Sequence, residues 1–486
     1  MKNLQCCIAM VATAATAAVL SPAAAAQQPS DTLALSLDKC IEIALSDNPT
    51  IRVADMEITR TDYSKKEVLG QLFPTITFGG SYSRTLAKQT MYMNMSGFGG
   101  GGDEEGGEEG DGEGKPGADT PASPTQRGGG GGGIKVGLDN SYQVGFNASM
   151  PLIAPQLWKT LKLSDTQILQ NVESARASRL SLVNQVKNAY YALLLALDSR
   201  DVIQESYDMA RFTADLYTKQ FELGTATRYD VLRTEVAVRT VEPELSQADI
   251  AIKQARLQLL VLMGVDAMTP VMPDRRLKSY ESSMYAQALG LSRDISGNSD
   301  LRMLDLQTRA LKNTLDVQKA SWYPTLALTA SYNWTSMNNG TPFKNLIWNP
   351  YSMVGVTLSF PLFEGGQRYY KVKQAQVQFN EMKYQRENLE RTLRMQVDVS
   401  VDNINTNVKQ IESCSESVRQ AETAHSIVKQ SFEIGAASYL ELRDGELALT
   451  QSRLAYYQAI YNYLVANSDL EYLLGSHDVS ASMPAR

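Results

Sequence analysis

The sequence predicts a mixed α and β fold in which one module, a pair of strands with one long and two shorter helices, occurs twice. Three observations predict it: short segments that recur, two long stretches without glycine or proline, and four stretches of alternating polarity. Residues 72–75 recur at 322–325, about 250 positions later, and residues 221–224 recur at 432–435, about 210 positions later. Two large copies indicate a duplicated module that closes a symmetric object, rather than a solenoid of small repeats.

The N-terminus has the features of a secretory signal peptide. Lys2 precedes an apolar, alanine-rich run that starts at Ile8 and ends in four alanines before Gln27. Small residues at the end of such a run favour cleavage over the alternative, a retained membrane anchor. The predicted organisation is residues 1–26 as signal peptide, 27–280 as first structural repeat, 281–475 as second structural repeat and 476–486 as C-terminal tail.

The composition argues against several classes of function. After the signal peptide the chain keeps two cysteines, Cys40 and Cys414, and its only histidines are His425 and His477. So few thiols and imidazoles disfavour a disulfide framework, a cysteine or histidine metal site and histidine-based catalysis. A formal net charge of −7 gives no basic surface suited to nucleic acid. We therefore expect no enzyme activity, no metal, no cofactor and no nucleic-acid partner.

Four stretches alternate apolar and polar residues with the period of a β-strand. They lie at about residues 75–85, 142–150, 325–334 and 352–360, with aromatic side chains mainly on the apolar face. Each has the length of a strand that crosses a bilayer at a tilt, although a half-buried sheet of a soluble protein shows the same alternation. Four strands cannot close a membrane barrel, so strands that cross a bilayer must be shared between chains, and three copies supply twelve.

The first copy carries a glycine-rich acidic insert between its two strands, at residues 97–133. The insert holds eight acidic residues against one lysine and one arginine. It has almost no apolar residues with which to bury a core, so we predict a flexible anionic loop. No EF-hand ligand spacing supports a calcium site in it. The second copy lacks this loop.

Long helices are predicted at about residues 156–223 and 367–434. Each stretch has 68 residues without glycine or proline, which corresponds to a helix of roughly 100 Å. Coiled-coil spacing, as at Val397, Val401 and Ile404, gives each helix an apolar stripe. Each long helix can pack against two shorter helices placed end to end, with a combined length of roughly 90 Å. The shorter segments are about 50–73 and 229–263 in the first copy, and 299–323 and 440–474 in the second.

Motifs at the strand-to-helix junctions and after the long helices occur in the same order in both copies. They are Pro-Leu at 151–152 and 361–362, Phe221-x-x-Gly224 followed by Asp230, and Phe432-x-x-Gly435 followed by Glu441. This ordered set resembles the TolC-like outer-membrane efflux protein (outer membrane factor) family over essentially the whole mature chain except residues 97–133. The resemblance implies a homotrimer, in which a 12-stranded outer-membrane β-barrel is continued by a periplasmic α-helical barrel.

The resemblance also implies roles for residues at the turns after the long helices. The acidic constriction that gates the channel entrance corresponds to Asp230, Glu441 and Asp444. The turns at the periplasmic tip, which contact an adaptor protein, correspond to Gly224 and Gly435. A ring of carboxylates narrowed by symmetry repels itself and favours cations. The alternative is that these acids are solvated residues at helix starts, where a negative charge is favourable.

We therefore predict an outer-membrane exit duct of a tripartite efflux or type I secretion system. The duct passively conducts substrates from a periplasmic adaptor (membrane fusion) protein and an inner-membrane transporter to the exterior. Outer-membrane lipid surrounds its strands, and its helices extend into the periplasm. The alternative is a periplasmic coiled-coil scaffold without a channel, which explains the helices but not four strands of bilayer length. Drug, metal-ion and protein cargo are not distinguished, because a conduit touches its cargo only generically.

Overall fold

The computed structural model describes residues 33–91, 134–281, 284 and 292–477. The predicted signal peptide and the predicted anionic loop at residues 97–133 lie outside the described residues, as does most of the predicted tail. Within the described ranges the chain is mostly helical, with some sheet.

The helices and strands alternate in the order of a duplicated module. The helices are α1 (Leu37–Asp47), α2 (Pro49–Gly70), α3 (Pro155–Glu222), α4 (Arg228–Met263), α5 (Ser299–Ala320), α6 (Gln367–Glu433) and α7 (Tyr439–Leu474). The strands are β1 (Leu33–Leu35), β2 (Thr75–Arg84), β3 (Gln89–Met91), β4 (Ile134–Val136), β5 (Asn140–Ile153), β6 (Val271–Pro273), β7 (Thr325–Asn338) and β8 (Asn349–Ser359). Helices α2 and α5 both have 22 residues, α4 and α7 both have 36, and α3 and α6 have 68 and 67. Near-equal lengths in matching positions are what a duplication produces.

The described residues fall into two compact units. One, the helical unit, divides the chain as Met1–Arg60 with Ile168–Gln307 and Met382–Arg486, and the other, the sheet unit, as Thr61–Gln167 with Thr308–Glu381. The long helices α3 and α6 each contribute residues to both units.

The sheet unit contains an antiparallel sheet with the strand order β2-β5-β7-β8. Phe78 pairs with Phe146, and Phe146 pairs with Tyr332, so these rings form a row on one face of the sheet. The neighbouring register aligns Thr77 with Asn147 on the other face. The predicted alternation is therefore confirmed as one aromatic and one polar face, because successive strand residues point to opposite sides.

Strands β5 and β7 extend further than the alternation predicts. The prediction ends them near residues 142 and 334, whereas the observed strands reach Asn140 and Asn338. Asn140 and Asn338 pair at that end, and Asn140 Nδ2 donates a hydrogen bond to Asn338 Oδ1 at 3.0 Å. Backbone pairing continues there although the polarity pattern has stopped.

Two short ladders lie outside the prediction. Strand β1 pairs in parallel with β6, and β3 pairs antiparallel with β4. Each strand has three residues, which is too short for a period of two to be recognised. The β1–β6 ladder joins the start of the described chain to the segment after α4, where Tyr190 Oη lies 3.3 Å from Leu35 O and 3.0 Å from Asp274 Oδ1.

The core of the helical unit runs along its packed helices. The predicted apolar stripe of α6 is confirmed, since Val397, Val401 and Ile404 are all buried. Tyr190 of α3 and Tyr463 of α7 are fully buried in the same core. The coiled-coil spacing of the sequence thus identifies the side chains that hold these helices together.

Helix α4 continues through an internal proline. Pro243 removes one backbone N–H from the helix ladder and normally costs about 3 kcal/mol or more inside a helix. Here Pro243 is exposed, so water can bond the carbonyl that the proline leaves without a donor.

No helix in the described ranges is both long enough and apolar enough to cross a membrane.

Candidate functional site at the two helical turns

Each long helix ends in a glycine turn, and the two turns have the same geometry. Gly224 has φ 76° and Gly435 has φ 77°, a left-handed conformation that strains any residue with a side chain. In both turns the residue after the glycine donates its N–H to the carbonyl five residues earlier, at 2.8 Å. This is the bond that closes a Schellman C-cap. Apart from each glycine and its chain neighbours, no atom of the described residues lies within 4 Å of where a Cβ would stand, so φ rather than space requires glycine.

The helix after each turn begins with a capping box that contains one of the predicted acids. In α4, Thr227 N donates to Asp230 Oδ2 at 3.1 Å, and Asp230 N donates to Thr227 Oγ1 at 3.2 Å. In α7, Ser438 N donates to Glu441 Oε2 at 2.6 Å, and Glu441 N donates to Ser438 Oγ at 3.3 Å. Both acids therefore satisfy backbone groups at a helix start, which is the role that the sequence offered as the alternative to gating.

These hydrogen bonds also set the charge of the two acids. The Thr227 side chain, followed by the Thr227 backbone N–H, lowers the pKa of Asp230. The Ser438 backbone N–H, followed by its hydroxyl, lowers the pKa of Glu441. Both carboxylates are therefore ionised at neutral pH.

The third predicted acid, Asp444, lies on α7 beyond the capping box. It is exposed and follows Glu441 by three residues, a spacing that places two side chains on one face of a helix. The start of α7 thus has two acidic side chains on the same exposed face of the helix. Helix α4 differs at the matching position, because Arg233 stands where α7 has Asp444.

An aromatic cluster, the tip cluster, joins the two turns within one chain. The Tyr217 ring of α3 lies 6.4 Å from that of Phe432 on α6 and 5.8 Å from that of Tyr439 on α7, between centroids. The Arg233 guanidinium of α4 lies 5.1 Å from the centroid of the Tyr439 ring, within the range of a cation–π interaction. Each of the four helices that end or begin at the turns supplies one residue.

Sequence reasoning missed the tip cluster. Its one visible signal is a difference between the copies, since Tyr439 has Arg228 as its counterpart and Arg233 has Asp444. A pattern within one copy shows which residues face the core, but it does not show which residue of the other copy they meet. Burial raises the pKa of both Tyr217 and Tyr439, so the rings stay neutral beside the arginine.

Known proteins of one sequence family are similar to this chain. The family model described as "Outer membrane efflux protein" matches residues 40–265 and 291–476. Alkaline protease secretion protein AprF of Pseudomonas aeruginosa is 23% identical over 363 residues, which cover 71% of this chain and 74% of AprF. Outer membrane protein TolC of Escherichia coli is 22% identical over 347 residues, which cover 69% of this chain and 70% of TolC.

Solved structures share the fold. The Campylobacter jejuni CmeC outer membrane channel has a TM-score of 0.65 at 17% identity, over 92% of this chain and 88% of that chain. The open state of the Neisseria gonorrhoeae MtrE outer membrane channel has a TM-score of 0.64 at 18% identity, over 90% and 88%. The family model matches most of the chain, in two segments. This chain therefore belongs to the outer membrane efflux protein family.

Proposed function

We propose that the chain is the outer-membrane exit duct of a tripartite efflux or type I secretion system and that it works as a homotrimer. Membership of the outer membrane efflux protein family supports location in the outer membrane and conduction across it. The AprF and TolC relatives are secretion and outer-membrane proteins rather than enzymes. The periplasmic scaffold without a channel does not account for this family membership.

The observation that supports a trimer is a sheet with two long edge strands. In the described residues β2 and β8 each pair on one side only, with β5 and with β7. An open edge in lipid leaves backbone groups without hydrogen-bond partners, so a membrane sheet must close. Three such sheets joined edge to edge give twelve strands, within the range of known closed barrels.

The two faces of the sheet suit a barrel with lipid outside and water inside. The exposed side chains Val354, Val356 and Leu358 of β8 share the face of the aromatic row. The opposite face has a cavity lined mainly by small and polar residues, including Thr77, Asn147, Thr329 and Ser331. An apolar outside and a polar inside are the arrangement of outer-membrane barrels.

The helical unit supplies the periplasmic part of the proposed duct. Its turns at Gly224 and Gly435 are the proposed contact with a periplasmic adaptor protein, through which an inner-membrane transporter delivers cargo. The proposed channel entrance carries Asp230, Glu441 and Asp444, whose negative charges favour cations in a narrow opening. The capping-box bonds hold the first two acids in fixed positions, which supports an ordered ring of charge.

The proposal is tested by expressing the full chain in a Gram-negative host and separating the membranes by density. We expect detergent to extract the protein from the outer membrane and native mass spectrometry to show a trimer. We also expect the extracted trimer to form ion-conducting channels in planar lipid bilayers. Recovery from the soluble periplasm without detergent would refute the proposal.

A matched pair of substitutions tests the orientation of the sheet. Val356→Arg places a charge on the face proposed to meet lipid, at a cost of about 2–4 kcal/mol near the bilayer midplane. Thr357→Arg places the same charge on the opposite face of the same strand. We expect the first variant to lose most of its yield in the outer membrane and the second to retain it. Equal yields, or the reverse order, would contradict the proposed faces.

A further inference from the structure

A small cavity lies in the helical unit where α7 packs against α3 and α6. Its volume is about 70 Å³, enough for at least two water molecules at roughly 30 Å³ each. It is lined by Val202, Glu205, Ser206 and Met209 of α3, His425 of α6, and Glu446, Leu449, Thr450 and Arg453 of α7. Glu446 lies about two helical turns beyond the start of α7, so the cavity sits just behind the tip.

Two polar atoms at this cavity are buried without a hydrogen-bond partner among the described residues. They are His425 Nε2 and Glu446 Oε1. Buried polar atoms in folded proteins are nearly always bonded, and an exception calls for a physical explanation. A carboxylic acid is far less costly to bury than a carboxylate, because burial penalises the charged form.

Charged side chains of all three helices line this cavity or lie near it. On one side Arg453 pairs with Glu205 of α3 and, at 2.9 Å, with Glu422 of α6, so its charge is already balanced. Lys429 of α6 and Arg443 of α7 act on Glu446 from a longer range. Among the described residues neither of these two cations forms an ion pair with Glu446.

The net result of these surroundings is a carboxyl group that favours its proton. Burial raises the pKa of Glu446 to about 7, although Lys429 and Arg443 oppose the shift. Burial, followed by Lys429 and Arg453, lowers the pKa of His425. Near neutral pH the imidazole is therefore neutral, and the carboxyl is the group that changes charge.

We propose that this cavity is a proton-operated joint: protonated Glu446 keeps α7 packed against α3 and α6, and loss of the proton loosens that packing. The proton passes from the carboxyl group to water that enters the cavity. The Glu446 carboxylate is then attracted to Lys429 and Arg443 and moves toward them. The joint lies in the same helix as Glu441 and Asp444. A consequence for the opening of the duct rests on the proposed function, whereas the joint itself does not.

The direction of the pH effect follows from linkage. The pKa of Glu446 in the packed state, about 7, lies above the ordinary value of 4.5 for a glutamate side chain, so the packed state binds this proton more tightly than the open state. The proton's stabilisation of the packed state is complete below pH 4.5 and is lost as the pH rises through about 7. If α7 opens enough to hydrate Glu446 fully, the population of the open form rises about tenfold between pH 6 and pH 8 and then levels off.

Hydrogen–deuterium exchange of the detergent-solubilised full chain tests the joint without requiring transport. We expect protection of the amides at residues 442–450, corrected for the intrinsic pH dependence of exchange, to fall up to tenfold between pH 6 and 8, with a midpoint near 7. Glu446→Gln, which mimics the protonated acid, removes this transition. Glu412→Gln removes an exposed acid from α6 and serves as the matched control that retains it.

Three outcomes would overturn the joint. One is equal protection at pH 6 and pH 8 in the wild-type chain, which needs no variant and holds even if Glu446→Gln does not fold. Another is a transition that survives in Glu446→Gln. The third is a transition that is abolished by His425→Gln but not by Glu446→Gln, since it would assign the proton to the imidazole. A chain that shows the transition but forms no channels would refute the proposed function and leave the joint intact.

Discussion

Truncating Glu441 and Asp444 together to alanine is expected to raise the single-channel conductance of the proposed trimer after reconstitution. The two acids lie one turn apart on an exposed face at the start of α7. If this face lines the entrance, the substitution removes both the side-chain bulk and the negative charge that narrow it. The expected result is a wider and less cation-selective entrance.

The size of the effect has an electrostatic and a structural part. Two carboxylates one helical turn apart repel each other, although water and salt weaken this repulsion at an exposed site. Each kT of negative potential that the entrance loses lowers its cation concentration about 2.7-fold. The structural part arises because Glu441 bonds the Ser438 backbone N–H at 2.6 Å. Replacing Glu441 by alanine leaves that N–H without its capping-box acceptor, so some fraying of α7 accompanies the substitution.

Planar-bilayer recordings of single trimers separate these parts. Ser438→Ala removes the N-cap hydroxyl and keeps both acids, so it is the matched control for fraying. The isosteric pair Glu441→Gln and Asp444→Asn removes the charge and keeps the bulk and the capping acceptor. We expect the isosteric pair to lower cation selectivity with a smaller rise in conductance than the alanine pair, and Ser438→Ala to change neither strongly.

Two results would refute this reasoning. Unchanged conductance and selectivity in the alanine pair would show that neither acid lines the constriction. An equal rise in conductance with Ser438→Ala would show that the opening of α7, rather than the loss of the acids, is responsible.

Three further predictions concern the turns, the tip cluster and the acidic insert. Gly435→Ala places a side chain at φ 77°, so we expect a loss of about 1–2 kcal/mol per chain in trimer unfolding by denaturant; Gly70→Ala, where φ is not positive, is the control, and equal losses would contradict the argument. Arg233→Gln and Tyr439→Leu are expected to show a coupling of about 0.5–1 kcal/mol in a double-mutant cycle of the same unfolding, and additive effects would disprove the cation–π contact. Deleting residues 98–132 should leave the trimer intact on a native gel, and loss of the trimer would refute the placement of this segment in a loop.

The elements with a strong period could be predicted from the sequence. The sequence predicts the long helices at about 156–223 and 367–434, and they are observed at Pro155–Glu222 and Gln367–Glu433. They are long, free of glycine and proline, and closed by a glycine that forces a left-handed turn. The absence of glycine and proline therefore locates the body of each helix, and the glycine that follows locates its end.

Contacts between distant segments could not be predicted in the same way. The parallel pairing of Leu33–Leu35 with Val271–Pro273 depends on the fold bringing together segments about 240 positions apart. The cavity at His425 and Glu446 is similar, since in sequence Glu446 is one more acid on a polar helix face. Only the packing of three helices around it changes its proton affinity, and neither periodicity nor composition carries that information.

The duplication itself separates the structural acids from the candidate gating acid. Asp230 and Glu441 occupy the same position in the two copies and both close a capping box, so helix capping alone accounts for an acid there. Asp444 has no such role, and its counterpart Arg233 contacts the Tyr439 ring instead. An acid that the helix start does not need, at a position where the copies differ in charge, is the stronger candidate for the entrance. Asp444→Ala alone should therefore reproduce most of the conductance rise of the alanine pair, and Glu441→Ala alone should behave like Ser438→Ala. If Glu441→Ala gives the larger rise, the capping acid itself forms the constriction and this separation is wrong.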